Sequence, residues 1–267
     1  MRRHVACPCV GARIEGMPKD YDFPVELQPI STHPGGFIVP NRLAVIRTDT
    51  MRPIAVVSKK YTLLPHAEVV DAMRETLRGQ ETDEKIALTH NGARMHLEIT
   101  LPNITLKVEG DEIAMRLVVA NSYDGSRKVN IAFGAYRLVC SNGMIIGRRM
   151  VSVSRRHVGA VSIEVQQMRK QMTMLTAQFT ATAPLLQKMA ATQLTAPKKF
   201  FDATSLRIPT YLAKVAREQF KKEEDGTVWD AYNALTFAIT HKLRRANPEL
   251  ATRLGKHAWS AAIARLH

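Results

Sequence analysis

The hydrophobic pattern changes texture several times along the chain. LAVIRT and PIAVVSKKY, just after residue 40, are short runs rich in β-branched residues, which suit the pleated, half-buried surface of a strand. Pro65 then opens HAEVVDAMRETLRG, in which Val69, Val70, Met73 and Leu77 recur at helical spacing and Gly79 marks the end. Next come strand-like segments broken by turn dipeptides. KIALTH and ARMHLEITL flank Asn91-Gly92, EIAMRLVVANSY and RKVNIAF flank Asp124-Gly125-Ser126, and YRLVC and MIIG flank Asn142-Gly143. Asn-Gly and Asp-Gly supply the positive φ of tight hairpins. Met95, Leu97 and Ile99 point one way, and Arg94, His96 and Glu98 the other. Ile113, Met115, Leu117 and Val119 share a face, as do Val129, Ile131 and Phe133. This alternation predicts an antiparallel meander with one face covered.

The cover is predicted next in sequence. Val161, Val165, Met168, Met172, Leu175 and Phe179 are spaced 4, 3, 4, 3, 4, the narrow seam of a long helix. Packing on the sheet is the expected use of that seam, with methionine as adaptable filler. Pro184 should kink or end the helix. Pro209 begins another helix, with Leu212, Val215 and Phe220 inward. Thr227 caps the next, with Asp230 in the capping-box position, and Asn247-Pro248 starts the last. Residues 1–40 contain Pro8, Pro18, Pro24, Pro29, Pro34 and Pro40, which predicts a loosely held arm without regular structure. The expected fold is α+β: an antiparallel hairpin-rich sheet covered by a long helix, then a helical C-terminal region. The expected divisions are 1–40, 41–192 and 193–267, with TAPKKFFDATSLRIP as the boundary loop.

Composition narrows the setting. The chain has 267 residues, and no apolar run reaches the roughly 18 needed to span a bilayer. The start, MRRHVACPCV, lacks the apolar core of a secretory signal. Cys7, Cys9 and Cys140 form no disulfide framework. A cytoplasmic protein is expected, with no membrane partner. Cys7-Pro8-Cys9 has no second pair to complete a zinc site, and no phosphate-cradling, dinucleotide-binding or nucleophile-elbow motif occurs. No catalytic residues, metal or cofactor are assigned.

The net charge of +14 favours a polyanionic partner. Its distribution is uneven. From Gly125 through Ile163 there is no Asp or Glu, yet Arg127, Lys128, Arg137, Arg148, Arg149, Arg155 and Arg156 all occur there. Guanidinium groups engage phosphate bidentately, so these residues are the expected nucleic-acid contacts. Tyr123, just before that span, and Tyr136, within it beside Arg137, are the candidates for base stacking, as in single-strand binders. The alternative is a metal-dependent nuclease built on Asp111 and Glu112 with His90 or His96, which would require those groups to cluster. A second alternative is a protein-interaction module, aimed at a host defence factor, whose basic surface meets an acidic partner.

RLAVIRTDTMRPIAVVSKKYTLLPHAEVVDAM, VVANSYDGSRKVNIAFGAYRLVCSNGM and TVWDAYNALTFAITH resemble the phage- and plasmid-associated family called domain of unknown function 932. That resemblance implies a role in mobile-element DNA metabolism and carries over no catalytic residues. The layout, with hairpins, a long seamed helix and a cationic strip, also resembles single-strand annealing proteins of the Rad-fifty-two type. The implied function is single-stranded DNA binding and annealing by a homo-oligomer.

Overall fold

The computed structural model describes residues 20–137, 142–144, 153–159, 165–221, 226–243 and 247–266. Cys7, Cys9 and Cys140 lie outside them. A first sheet has the order β1 (Val25–Ser31), β2 (Ile38–Arg47), β3 (Arg52–Ser58), all antiparallel. Helix α1 (His66–Thr76) follows, with Pro65 at its N-cap, and the chain reverses at Gly79, φ +86°.

The second sheet runs β4 (Asp83–Thr89), β5 (Arg94–Val108), β6 (Asp111–Ser122), β7 (Val129–Arg137), β8 (Asn142–Met144). Strand β9 (Val153–Arg155) also pairs with β7. The remainder is helical: α2 (Val165–Ala181), α3 (Ala183–Ala191), α4 (Pro197–Phe200), α5 (Ala203–Leu206), α6 (Thr210–Phe220), α7 (Val228–Lys242) and α8 (Pro248–Ile263). The protein is α+β, as the pattern predicts.

One face of the second sheet carries the core. Met95, Leu97, Ile99 and Leu101 of β5 and Ile113, Met115, Leu117 and Val119 of β6 are buried together with Met168, Leu175 and Phe179 of α2. The Thr176 hydroxyl of α2 reaches the Met115 sulfur at 3.8 Å, so the predicted seam lies on the sheet over Met168, Met172, Leu175 and Phe179, while Val161 and the side chain of Val165 are outside the described residues. Pro184 enters the first turn of α3, where α2 has ended. The same core continues into Trp229, Tyr232 and Leu235 of α7 and Trp259 of α8. The Trp229 indole donates to Asp111 at 3.0 Å. The boundary expected near residue 192 therefore separates stretches of sequence that share one apolar core.

Two expectations are corrected. Residues 25–40 are not a loose arm, because they form β1 and the start of β2. Their prolines sit where a missing donor does little harm: Pro24 precedes β1, and Pro29 borders a register shift on that edge strand. Pro40 falls in the stretch of β2 that pairs with neither neighbour. Nor is Asn142-Gly143 the turn between β7 and β8. Arg137 pairs with Asn142 and Tyr136 with Gly143, so the dipeptide lies in the returning strand.

Part of the second sheet's other face, on the central strands β5 and β6, is also removed from solvent. His96, Glu98, Thr100 and Arg116 are all less than a tenth exposed. Glu98 meets His96 at 3.2 Å and Arg116 at 3.5 Å. Charges leave water only when paired, and period-two alternation could not foresee that pairing.

Candidate functional site

Three segments distant in sequence meet at one corner. The turn Tyr123–Lys128 leads from β6 into β7. Val129 pairs with Arg155, which brings Arg155 and Arg156 beside Arg127 and Lys128. The exit of β3 joins them: Tyr61 bridges to Val158, the Thr62 amide donates to the His157 carbonyl at 2.9 Å, and the Tyr61 hydroxyl donates to the Ser122 carbonyl at 2.7 Å. Lys59 and Lys60 immediately precede Tyr61. Arg42 pairs with Ser58, and the Lys59 amide donates to the Asn41 carbonyl at 3.1 Å. Arg42, Lys59, Lys60, Lys128 and Arg156 are all exposed. Among the described residues none of these five forms an ion pair.

The nearest acid in the turn faces inward. Asp124 accepts from Arg94 at 2.8 Å, from the Ser126 amide at 2.9 Å and from the Ser126 hydroxyl. Burial alone would raise its carboxyl, but these hydrogen bonds hold it below its ordinary value. The local carboxylate is thus already engaged.

Stacked rings and hydrogen bonds fix the corner. Tyr61 stacks on His157 with centroids 4.9 Å apart. Burial pushes the His157 imidazole below its ordinary value. His66 stacks on Tyr123 at 3.9 Å, and its amide donates to the Tyr123 hydroxyl at 2.7 Å. Its Nδ1 accepts from Asn121 at 2.9 Å while Nε2 donates to the Gly92 carbonyl at 3.0 Å. That assignment leaves a neutral ring, and burial lowers His66 to about 4. Neither imidazole supplies cationic charge at neutral pH, so the corner's charge comes from lysine and arginine.

The predicted contacts divide. Arg127 is half-buried, and its amide and carbonyl both bond the Ser122 hydroxyl at 3.2 Å. Lys128 and Arg156 are exposed beside it, and Arg155 joins them through β9. Arg137 stands at the far end of β7, roughly 27 Å away at strand rise. Arg148 and Arg149 lie outside the described residues, as do the side chains of Tyr136, Arg137 and Arg155. Tyr123 does not offer a stacking surface: it is fully buried and held against His66. Arg42, Lys59 and Lys60 escape a reading of the sequence. Lys59-Lys60 is a visible basic pair, but apart from Arg42 its neighbours at the corner are more than 60 residues further along the chain.

The nuclease constellation does not assemble. His96 sits near the start of β5, and Asp111 and Glu112 lie beyond its far end, on the order of 40 Å along the strand. Among the described residues no group of three His, Cys, Asp or Glu side chains could hold a metal ion. A cleft of about 710 Å³ opens at the other end of the first sheet, lined by Asp20, Asp22, Asp49, Arg47 and Phe23 among others. Arg47 is committed there to Asp49 at 2.7 and 2.9 Å, so this cleft is acidic where the corner is basic.

Fold and corner together define an α+β protein that gathers exposed cations from distant segments against an inward-turned carboxylate. A family model described as a domain of unknown function (DUF932) matches residues 53–259. The chain belongs to that family. No curated protein and no solved structure matches it. No helix among the described residues is long and apolar enough to cross a membrane.

Proposed function

We propose that the chain is a non-catalytic DNA-binding protein of a mobile element that favours single strands and works as a homo-oligomer in annealing or recombination. One observation carries this reading. Arg42, Lys59 and Lys60, Arg127 and Lys128, and Arg155 and Arg156 come from three separate segments to one corner. Cations crowded together repel one another, whereas a phosphate backbone laid across them relieves that repulsion and releases counterions.

Fluorescence anisotropy of a labelled single-stranded oligonucleotide tests the reading. Affinity should fall with salt on a log–log slope near −0.7 for each phosphate neutralised. A flat salt dependence, or no binding at low salt, ends it. Release of a shortened product on adding a divalent cation would replace it with the nuclease alternative. Sedimentation of the free and DNA-bound protein tests the oligomer.

A further inference from the structure

We propose that Phe37, at the tip of the β1–β2 hairpin, stacks on a base of the single strand whose phosphates lie at the basic corner. The proposal rests on the phosphate-binding reading above and adds the base contact that is wanting there once Tyr123 is buried. Every residue from Ser31 through Ile38 is exposed, and Phe37 and Ile38 are 75% and 69% exposed. The hairpin keeps its shape without help from the body of the protein: the Thr32 amide donates to the Phe37 carbonyl at 2.8 Å, and the Gly36 amide to the Thr32 carbonyl at 3.0 Å.

The Phe37 ring lies over Gly35. A Cβ at position 35 would meet the ring at 2.9 Å, and φ there is +114°, so glycine is what lets the ring rest on the turn. A large apolar ring is thus held in place with most of its surface open to water. Burial against a partner is the physical use of such a surface.

Register places the tip beside the cations. β3 ends at Ser58, opposite Arg42, while β2 runs on to Ile38. The tip stands beyond the end of β3, with Phe37 five residues from Arg42 and so at most about 17 Å away at full strand rise. From Ser31 to Arg42 the hairpin carries no acid. A backbone seated on Arg42, Lys59 and Lys60 brings its bases within reach of the ring. An aromatic beside a basic track is the arrangement that binds single strands with little sequence preference, because every base has a π-face. The hairpin also precedes residues 53–259, so it belongs to this chain outside the family match. A membrane surface fits less well, since the tip offers two adjacent apolar residues and no amphipathic helix.

The test uses the full chain, with Phe37→Ala and Phe37→Trp, an oligothymidylate, an abasic oligomer of equal length and anionic lipid vesicles. Phe37→Ala should weaken oligothymidylate binding about 5- to 100-fold while leaving the salt slope unchanged. Phe37→Trp should restore affinity, and its indole fluorescence should quench on binding. On the abasic oligomer, wild type and Phe37→Ala should bind alike. Steep, salt-dependent binding that is indifferent to Phe37→Ala overturns the stacking contact and leaves the phosphate reading standing. No binding by the wild type removes both. Phe37-dependent capture by vesicles, with oligonucleotide affinity unaffected, assigns the tip to membrane and overturns the proposal.

Discussion

At the scale of single residues, His66 shows how burial selects a protonation state. Asn121 donates to Nδ1 and Gly92 accepts from Nε2, so a second ring proton would have to displace a donor. Burial lowers the group from 6.5 to about 4. Between those values the unfolded chain binds a proton that the folded chain refuses, so stability rises with pH in that window. The contribution is present above 6.5 and is lost as pH falls toward 4. His157 is lowered too and acts in the same direction. Unfolding stability from urea titration should drop by about 2 kcal/mol between pH 7 and pH 5 from His66. His66→Gln should flatten that slope, and an unchanged slope would show that the ring does not titrate there. Tyr123 belongs to the same cluster. Its place before an Asp-Gly turn is legible in the sequence, but its burial is not, because only packing against His66 and Phe23 removes it from water.

At the scale of elements, local chemistry is legible wherever both partners are close in sequence. The Thr227 hydroxyl accepts from the Asp230 amide at 3.2 Å, and Asp230 accepts from the Thr227 amide at 2.9 Å, which is the predicted capping box. Thr227→Ala should destabilise the protein by about 1 kcal/mol, measured as a shift of the urea midpoint at constant slope. No shift would mean that α7 is held by its buried face alone. The Asn91-Gly92 hairpin also forms as predicted, with φ +56° and +84°. Asn142-Gly143 misleads because the same dipeptide lies in a strand when pairing places Arg137 opposite Asn142. Prolines mislead for a related reason, since an edge strand tolerates them where a central one does not.

At the scale of the whole molecule, charge placement outweighs net charge. Exchanging Lys59, Lys60, Lys128 and Arg156 together for Ala should make the salt slope of DNA binding shallower by roughly 0.7 for each phosphate left unneutralised. Exchanging Lys198 and Lys199, exposed on α4, for Ala should leave it unchanged. Equal weakening by the two sets would mean that +14 acts as a diffuse field, and the corner would lose its role.

Local pattern in the chain is enough to specify most strands and helices, the helix caps, the apolar face of the sheet and the excess of positive charge. These depend on periods of two and 3.6 residues and on partners within a turn. Folding in three dimensions is what makes Arg42, Lys59, Lys128 and Arg156 share a corner, turns Asp124 inward to Arg94, and buries His96, Glu98 and Arg116 together. Each of these follows from strand order and register across tens of residues, and hydrophobic periodicity carries no information about which strand lies beside which.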